Sequence, residues 1–257
     1  FWVGVNDRST DLFEGLWPIS YQGVTYNAYL IKDEKNALID LSKETFTDDF
    51  INQLESLIGL ENLDYVITNH MEPDHSGALL RLRELAPQAK FLGMNKAVAM
   101  MKDFYGIDQN VEVLKHEQTL SLGRNTLKFI YTPFVHWPET MMTYMVEEKI
   151  LFSCDGFGSF GCLDGVLFDD ETNDQGFYER EALRYYTNII AAFSKHVLQA
   201  LDKLSAYEVQ MVAPAHGLVW RKDPERIISL YKYWASLATE RAEAGVTVLY
   251  GTMYRNT

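Results

Sequence analysis

The chain has 257 residues, of which 47% are hydrophobic and 23% charged, a content that suits one large or two small folded domains and is too apolar for a disordered chain. No run approaches the ~18 consecutive apolar residues of a membrane span, and a net charge of -13 argues against nucleic acid and anionic membranes as partners. The two cysteines exclude a disulfide framework, so we expect a soluble protein of the reducing cytoplasm.

Short runs rich in Val, Ile, Tyr and Phe alternate along the chain with amphipathic segments. The runs predict eight strands, at residues 26–31, 36–40, 64–68, 90–93, 127–132, 141–147, 149–153 and 209–213. The amphipathic segments predict five helices, at residues 44–57, 77–85, 95–105, 178–205 and 223–243. Early hairpins followed by strand–helix units are typical of an α/β domain whose sheets are covered by helices.

The loop after the strand at 64–68 places four metal-binding side chains within six residues: His70, Glu72, Asp74 and His75. In an extended loop, residues two apart point the same way, so the first three could converge on one place. Acids and imidazoles that close together are mutually costly unless a cation lies between them. The pattern therefore favours a metal site, and a polar loop with an accidental string of ligands is the alternative.

Three more potential ligands, His136, Asp155 and His216, each come just after a predicted strand and beside Gly or Pro. Loops at strand ends of α/β folds gather into one active-site rim, so we expect these side chains to meet the first four. The remaining histidines, His116 and His196, follow no strand, and we interpret them as surface or packing residues.

The order H-x-E-x-D-H, a His 61 residues later, an Asp 19 further and a His another 61 on is similar to the metallo-β-lactamase fold. More closely, the chain resembles the catalytic domain of the flavodiiron proteins, the cytoplasmic dioxygen and nitric oxide reductases. The resemblance includes WVGVND at 2–7, YNAYL at 26–30, HWPETM at 136–141 and DGFGSFG at 155–161. It implies an αββα sandwich with two iron ions at one edge.

The resemblance also implies the ligands. One iron would be held by His70, Glu72 and His136, the other by Asp74, His75 and His216, and Asp155 would bridge them. Zinc members of the superfamily resemble H-x-H-x-D-H, with nitrogen where this chain has the carboxylate of Glu72. Three carboxylates make a harder, more anionic set that favours iron, and a zinc hydrolase is the competing class.

The end of the chain, residues 246–257, resembles the first strand and phosphate loop of a flavodoxin-like domain, without the helix that would hold an FMN phosphate. We therefore divide the chain into a diiron domain at 1–244 and a remnant or start of a second domain at 245–257, and expect no FMN on it. Arg255 replaces the usual Gly of that loop. Two hypotheses follow: a single-domain homologue that binds and activates dioxygen for sensing or slow reduction, and the catalytic half of a longer reductase.

The resemblance implies further residues and partners. Tyr21 stands where many relatives have a His, and as a poor acid at neutral pH it would slow turnover of an oxygen adduct, while Tyr185 would lie near the irons. Trp137 and Phe157 would wall the site. Cys154 precedes Asp155 and could be a ligand, but a strand-end side chain points away from its neighbour's, so we interpret it as buried packing. Dioxygen or nitric oxide, an electron-donor or signalling protein and a second copy in a homodimer are the expected partners, without nucleic acid or membrane.

Overall fold

The computed structural model describes residues 1–239 and 245–246. The chain opens with four short strands, β1 (Val5–Asp7), β2 (Leu12–Phe13), β3 (Trp17–Pro18) and β4 (Val24–Tyr26). The first pairs with the fourth and the second with the third, all antiparallel. These two small ribbons lie outside the main sheets.

Two five-stranded sheets form the centre of the fold. The first has the order β5-β6-β7-β8-β9, made of β5 (Tyr29–Ile31), β6 (Asn36–Ile39), β7 (Leu63–Ile67), β8 (Lys90–Gly93) and β9 (Val111–Val113). The second has the order β10-β11-β12-β13-β14, made of β10 (Thr119–Ser121), β11 (Thr126–Tyr131), β12 (Met141–Met145), β13 (Ile150–Cys154) and β14 (Met211–Pro214). In both sheets an antiparallel part continues into parallel pairs.

Seven helices accompany the described strands: α1 (Thr47–Ile58), α2 (Pro73–Ser76), α3 (Leu79–Leu85), α4 (Asn95–Tyr105), α5 (Gln175–Tyr185), α6 (Ser194–Leu204) and α7 (Pro224–Ser236). Aspartates cap two of them, because Asp174 accepts from the backbone N of Phe177 at 2.9 Å and Asp223 from that of Arg226 at 3.1 Å. Such N-caps contribute about 1 kcal/mol each. None of the helices in the described part of the chain has the length and apolar character that a membrane crossing requires.

Side chains on the second sheet alternate between two apolar cores. In β11, Leu127 and Phe129 belong to the core between the sheets, whereas Ile130 belongs to the core shared with α5, α6 and α7. In β12, Met141 faces the first core and Met142 the second. Because a strand sends successive side chains to opposite faces, this sheet is covered on both sides. With α1, α3 and α4 packed on the first sheet, the layers are α-β-β-α, and the predicted sandwich is confirmed.

Two predicted elements are divided in the structure. The strand at 26–31 breaks at Asn27, whose side chain donates to the carbonyls of Pro214 and Gly217, so that β4 pairs with β1 and β5 with β6. The helix at 178–205 is interrupted by a π-helical turn, Tyr186–Ile190, and a 3-10 turn, Ala191–Phe193. Strands β1–β3, β9 and β10 were not predicted, because they have two or three residues each and most are polar or exposed.

Several predictions about the chain's end lie outside the described residues. These are residues 240–243 of the helix predicted at 223–243, the strand and phosphate loop beyond residue 246, and Arg255. The division at residue 244 therefore stays a prediction. Within the described residues the helix predicted at 223–243 ends earlier than predicted, at Ser236, and residues 237–239 form a turn. Both cysteines, Cys154 and Cys162, are free and buried.

Candidate metal centre

The seven predicted ligands lie where strands of both sheets end. His70 follows β7, Asp155 follows β13 and His216 follows β14, each within three residues of the strand. Asn69 joins the two sheets beside His70, since its backbone N donates to Asp40 Oδ1 at 2.7 Å and its side-chain oxygen accepts from Thr143 Oγ1 at 2.7 Å. This network links the end of β6 in the first sheet to β12 in the second.

The segment from His70 to His75 is not one extended loop. Pro73 opens the helical turn α2, a position that suits its fixed φ, and the backbone N of His75 donates to the carbonyl of Glu72. The turn carries Asp74 away from the first two ligands. The expectation that His70, Glu72 and Asp74 converge on one place by simple alternation is therefore wrong.

The ligand atoms form two groups. Within each group, one ligand atom per residue lies within 4.8 Å of the others: the first contains His70, Glu72, His136 and Asp155, and the second contains Asp74, His75 and His216. The site therefore separates into two compartments, each rich in imidazole and carboxylate donors.

Asp155 lies between the two groups. Its Oδ2 is 3.2 Å from His70 Nε2 and 3.3 Å from His136 Nε2. Its Oδ1 is 3.0 Å from His75 Nε2 and 3.3 Å from His216 Nε2. One carboxylate thus presents one oxygen to each group.

Several buried polar atoms of this cluster have no hydrogen-bond partner. They are both carboxylate oxygens of Asp74 and of Asp155, both ring nitrogens of His75, and Nε2 of His216. An unsatisfied buried polar group costs about 1–3 kcal/mol, so this concentration of them in one place is expensive without a ligand. Imidazole nitrogens and carboxylate oxygens facing one another are the donors that divalent transition metals take. The residues present fit a metal pair.

Two of the imidazoles are oriented by hydrogen bonds from Nδ1, the ring nitrogen that does not face the other candidate ligands. His70 Nδ1 donates to Glu139 Oε1 at 2.6 Å, and His216 Nδ1 donates to the carbonyl oxygen of Thr25 at 2.5 Å. Each contact sets the tautomer that leaves Nε2 free to bind a metal. Glu139 was not among the predicted site residues, although its position three residues after His136, in a turn with a proline, was a signal in the sequence.

The charges of the site shift its pKa values in opposite directions. Burial lowers the pKa of His75 and of His136, but the carboxylates around them outweigh it and raise both to about 9. Burial raises the pKa of Glu72, but hydrogen bonds from two imidazoles lower it to about 2. In the metal-free protein, protons on the imidazoles therefore supply the positive charge that metal cations would bring.

Aromatic rings wall the cluster. Trp137 stands edge-on to His70 with ring centroids 5.2 Å apart, and Tyr185, fully buried, lies 5.4 Å from His216. Phe13, which the sequence analysis did not single out, packs edge-on against His216 at 5.5 Å. The structure thus brings Trp137 and Tyr185 to the site.

One of the predicted pocket residues, Tyr21, lies elsewhere. Tyr21 is 90% exposed and lines a surface depression with Arg8 and Gln22, so the prediction that it gates the site is wrong. Phe157 is buried and packs on Tyr231 of α7 at 5.0 Å, where it fastens the loop after Asp155 to the helix layer; that it also walls the metal ligands stays a prediction.

Glu14, a charged residue of the N-terminal hairpin, also lies near the predicted ligands. It lines a cleft of about 380 Å³ together with Glu72 and Asp74. Although Glu14 is exposed, partial desolvation in the cleft, followed by repulsion from the carboxylate of Glu72, raises its pKa to about 7. No pattern in the sequence distinguished this glutamate from other surface carboxylates.

Cys154 is buried, as expected, and it lies next to two of the predicted ligands. Its Sγ lies within 4.8 Å of ligand atoms of His75 and Asp155. Burial raises the pKa of its thiol well above the usual range, so the sulfur is a neutral group in the metal-free protein.

Comparisons with known proteins agree with this geometry. Residues 24–217 match the family described as ODP family beta lactamase. A nitric oxide reductase of Moorella thermoacetica is 38% identical over 260 aligned residues, which cover the whole of this chain and 64% of that protein. An anaerobic nitric oxide reductase flavorubredoxin of Salmonella arizonae is also 38% identical, and the chain covers 53% of it. The chain thus spans between half and two thirds of the length of these relatives.

Solved structures show the same fold. The flavodiiron protein of Giardia intestinalis superposes with a TM-score of 0.87 at 33% identity, covering 91% of this chain and 57% of that one. Rubredoxin oxygen:oxidoreductase of Desulfovibrio gigas gives a TM-score of 0.87 at 31% identity, covering 91% and 59%. These findings confirm the resemblance noted from the sequence. The chain belongs to the ODP family beta lactamase, with the fold of a flavodiiron core.

Proposed function

We propose that the chain holds two iron ions and reduces nitric oxide or dioxygen there, with electrons from a separate donor. The observation that carries this proposal is the position of Asp155, whose two oxygens face two different groups of ligand atoms at 3.0 to 3.3 Å. A carboxylate so placed is suited to bridge two cations. In this proposal the seven ligands are those of the two groups, namely His70, Glu72 and His136 for one iron, Asp74, His75 and His216 for the other, and Asp155 for both.

The donor set supports iron over zinc. Four imidazoles and three carboxylates make a hard, anionic site, and Glu72 places an oxygen donor among the ligands of the first group. Three negative charges offset a large part of the charge of an oxidised iron pair. A zinc hydrolase is the competing function, and metal analysis separates the two.

The iron pair would supply the redox chemistry, and the protein would position it. When bound, a ferrous pair supplies two electrons, which balances the conversion of two nitric oxide molecules and two protons into nitrous oxide and water, and is half of the four that dioxygen reduction to two waters requires. Glu139 and the carbonyl of Thr25 orient two ligand imidazoles. The rings of Trp137, Phe13 and Tyr185 exclude water from the ligand side.

The substrates, the donor and the setting belong to the same proposal. Relatives named nitric oxide reductase and rubredoxin oxygen:oxidoreductase support nitric oxide and dioxygen as substrates. A homodimer in the cytoplasm, recharged by a redox protein or domain, is consistent with those relatives.

Dioxygen sensing is the alternative function. Its support from the sequence came from Arg255 and from Tyr21. Arg255 lies outside the described residues, and Tyr21 is exposed to solvent and away from the metal ligands. We therefore place reduction first, and an experiment on turnover distinguishes the two.

The test is consumption of nitric oxide and of dioxygen by the full chain loaded anaerobically with Fe²⁺ and supplied with an artificial reductant. We expect many turnovers per chain, loss of activity in Asp155→Asn, and retention in His116→Ala, which changes an exposed histidine outside the site. A long-lived coloured species after a single encounter with dioxygen would overturn reduction in favour of sensing. Stoichiometric zinc with no gas consumption would support the hydrolase.

A further inference from the structure

The two imidazoles that are oriented by hydrogen bonds from Nδ1 are held by different chemical groups. His70 donates from Nδ1 to the carboxylate of Glu139 at 2.6 Å, whereas His216 donates from Nδ1 to the neutral backbone carbonyl of Thr25 at 2.5 Å. The two contacts have similar lengths, and each holds its imidazole by Nδ1. They differ in charge, because only one acceptor can carry a full negative charge.

Glu139 is a buried carboxylate. Among the described residues, it forms an ion pair with His70. It is 0% exposed, its Oε1 also accepts from the backbone N of Met71 at 3.1 Å, and its Oε2 has no hydrogen-bond partner. The negative charge of this carboxylate is therefore directed to one imidazole.

We propose that Glu139 is a positioning residue that makes the two metal positions unequal, so that the position ligated by His70 binds its ion more tightly and has the lower reduction potential. The inference rests on the proposed function only in requiring two metal ions. A carboxylate acceptor on Nδ1 makes the imidazole a stronger donor at Nε2, and its charge favours the more highly charged ion. The carbonyl of Thr25 orients His216 without adding a full charge.

The first test uses Co²⁺ as the probe. Metal-free protein is titrated anaerobically with Co²⁺ against a competing chelator, and visible absorption follows the two stepwise dissociation constants. The parent should show two constants that differ by more than the statistical factor for equal sites. Glu139→Gln keeps an acceptor for Nδ1 and removes the charge, so it should weaken the tighter position roughly 10- to 100-fold and leave the other within a few fold.

The matched control is Asp40→Asn. Asp40 is also a buried carboxyl beside the site, but it accepts from the backbone N of Asn69 and not from a ligand imidazole. Asparagine tolerates its positive φ of 55°, so the variant should fold. Neither Co²⁺ constant should change more than about threefold. An equal effect of Asp40→Asn and Glu139→Gln would show that general charge, and not the contact with His70, sets the affinity.

The second test is a potential. In the iron-loaded protein, a redox titration followed by electron paramagnetic resonance should give two one-electron steps, and Glu139→Gln should raise the more negative of them selectively. Equal shifts of both steps, or no shift, would overturn the proposal. If the variant does not fold, the parent decides, because two Co²⁺ sites of equal intrinsic affinity contradict the inference. A parent that binds fewer than two Co²⁺ ions contradicts the proposed function instead.

Discussion

The side chain of Asn27 donates to the backbone carbonyl of Gly217 at 2.9 Å, and this hydrogen bond ties the junction between β4 and β5 to the loop that carries His216. The same amide donates to the carbonyl of Pro214 at 3.0 Å, and its oxygen accepts from Trp2 Nε1. The loop that carries His216, after the last strand of the second sheet, is thus held by Asn27. This residue connects β4 of the small ribbon to β5 of the first sheet.

We therefore predict that Asn27→Ala disturbs the second ligand group more than the first. Loss of buried hydrogen bonds should lower the free energy of unfolding by about 1–3 kcal/mol, measured by urea denaturation, and bound metal should fall from two ions per chain toward one. Asn62→Ala is the control, because Asn62 donates to a backbone carbonyl, that of Ile58, at an exposed position. Full retention of both ions by Asn27→Ala would contradict this role.

Removal of Asp155 should be more severe than removal of His75. Asp155→Ala takes away the one carboxylate that faces both groups, so both metal ions should be lost or weakly held. His75→Ala removes one donor of one group, and a water molecule can occupy its place. Metal content by elemental analysis after identical purification compares the two variants, and equal retention would remove Asp155 from the bridge.

Metal affinity should rise with pH between 7 and 9. In the metal-free protein the carboxylates outweigh burial and raise the pKa of His75 and of His136 to about 9, so both are protonated at pH 7 and must release protons to bind metal. Calorimetry of Zn²⁺ binding in buffers of different ionisation enthalpy should detect that release. An affinity that is flat from pH 7 to 9, without proton release, would contradict the assigned charges.

The same shifts predict opposite pH responses of stability with and without metal. A histidine whose pKa is raised on folding, from ~6.5 to about 9, stabilises the folded protein when it is protonated. This contribution to the free energy of unfolding is complete below pH ~6.5 and is lost as the pH rises through about 9. The Tm of the metal-free protein should therefore fall from pH 7 to 9, whereas that of the Zn²⁺-loaded protein should not. A parallel fall of both Tm values would argue against this origin.

Glu14 and Tyr21 should respond differently to substitution. Because Glu14 shares the cleft with Glu72 and Asp74, its charge attracts cations, and Glu14→Gln should weaken Co²⁺ binding several-fold. Tyr21→Phe changes an exposed ring and should leave the Co²⁺ dissociation constants unchanged. If Tyr21→Phe weakened Co²⁺ binding and Glu14→Gln did not, Tyr21 and not Glu14 would belong to the metal site.

The sequence predicted the fold well where patterns are long and local. Strand Lys90–Gly93 and helix Asn95–Tyr105 were predicted with their observed bounds, since apolar spacing and flanking turns specify them. Splitting of the strand at Asn27 could not be foreseen, because its cause is a contact with residues nearly 190 positions away. Tertiary contacts of this kind override local propensity.

The seven candidate ligands were predicted because they stand in a short motif and at strand ends, and the structure brings them together in two adjoining groups. Residues that orient the candidate ligands or pack next to them were harder to predict. Phe13 and Glu14 carry no spacing signal of their own, and Glu139 had only its position three residues after His136 in a turn with a proline; the roles of all three come from tertiary contacts. Tyr21 was chosen by analogy of position near a glycine, and the hairpin directs Glu14 toward the cleft instead.

The central claim is that seven side chains hold two iron ions. The measurement that tests it most directly is elemental analysis of the full chain purified from iron-replete cells, with Asp155→Ala and His116→Ala prepared in parallel. We predict about two irons per chain in the parent and in His116→Ala, and a large loss in Asp155→Ala. Stoichiometric zinc without iron in the parent, or two irons retained in Asp155→Ala, would contradict it.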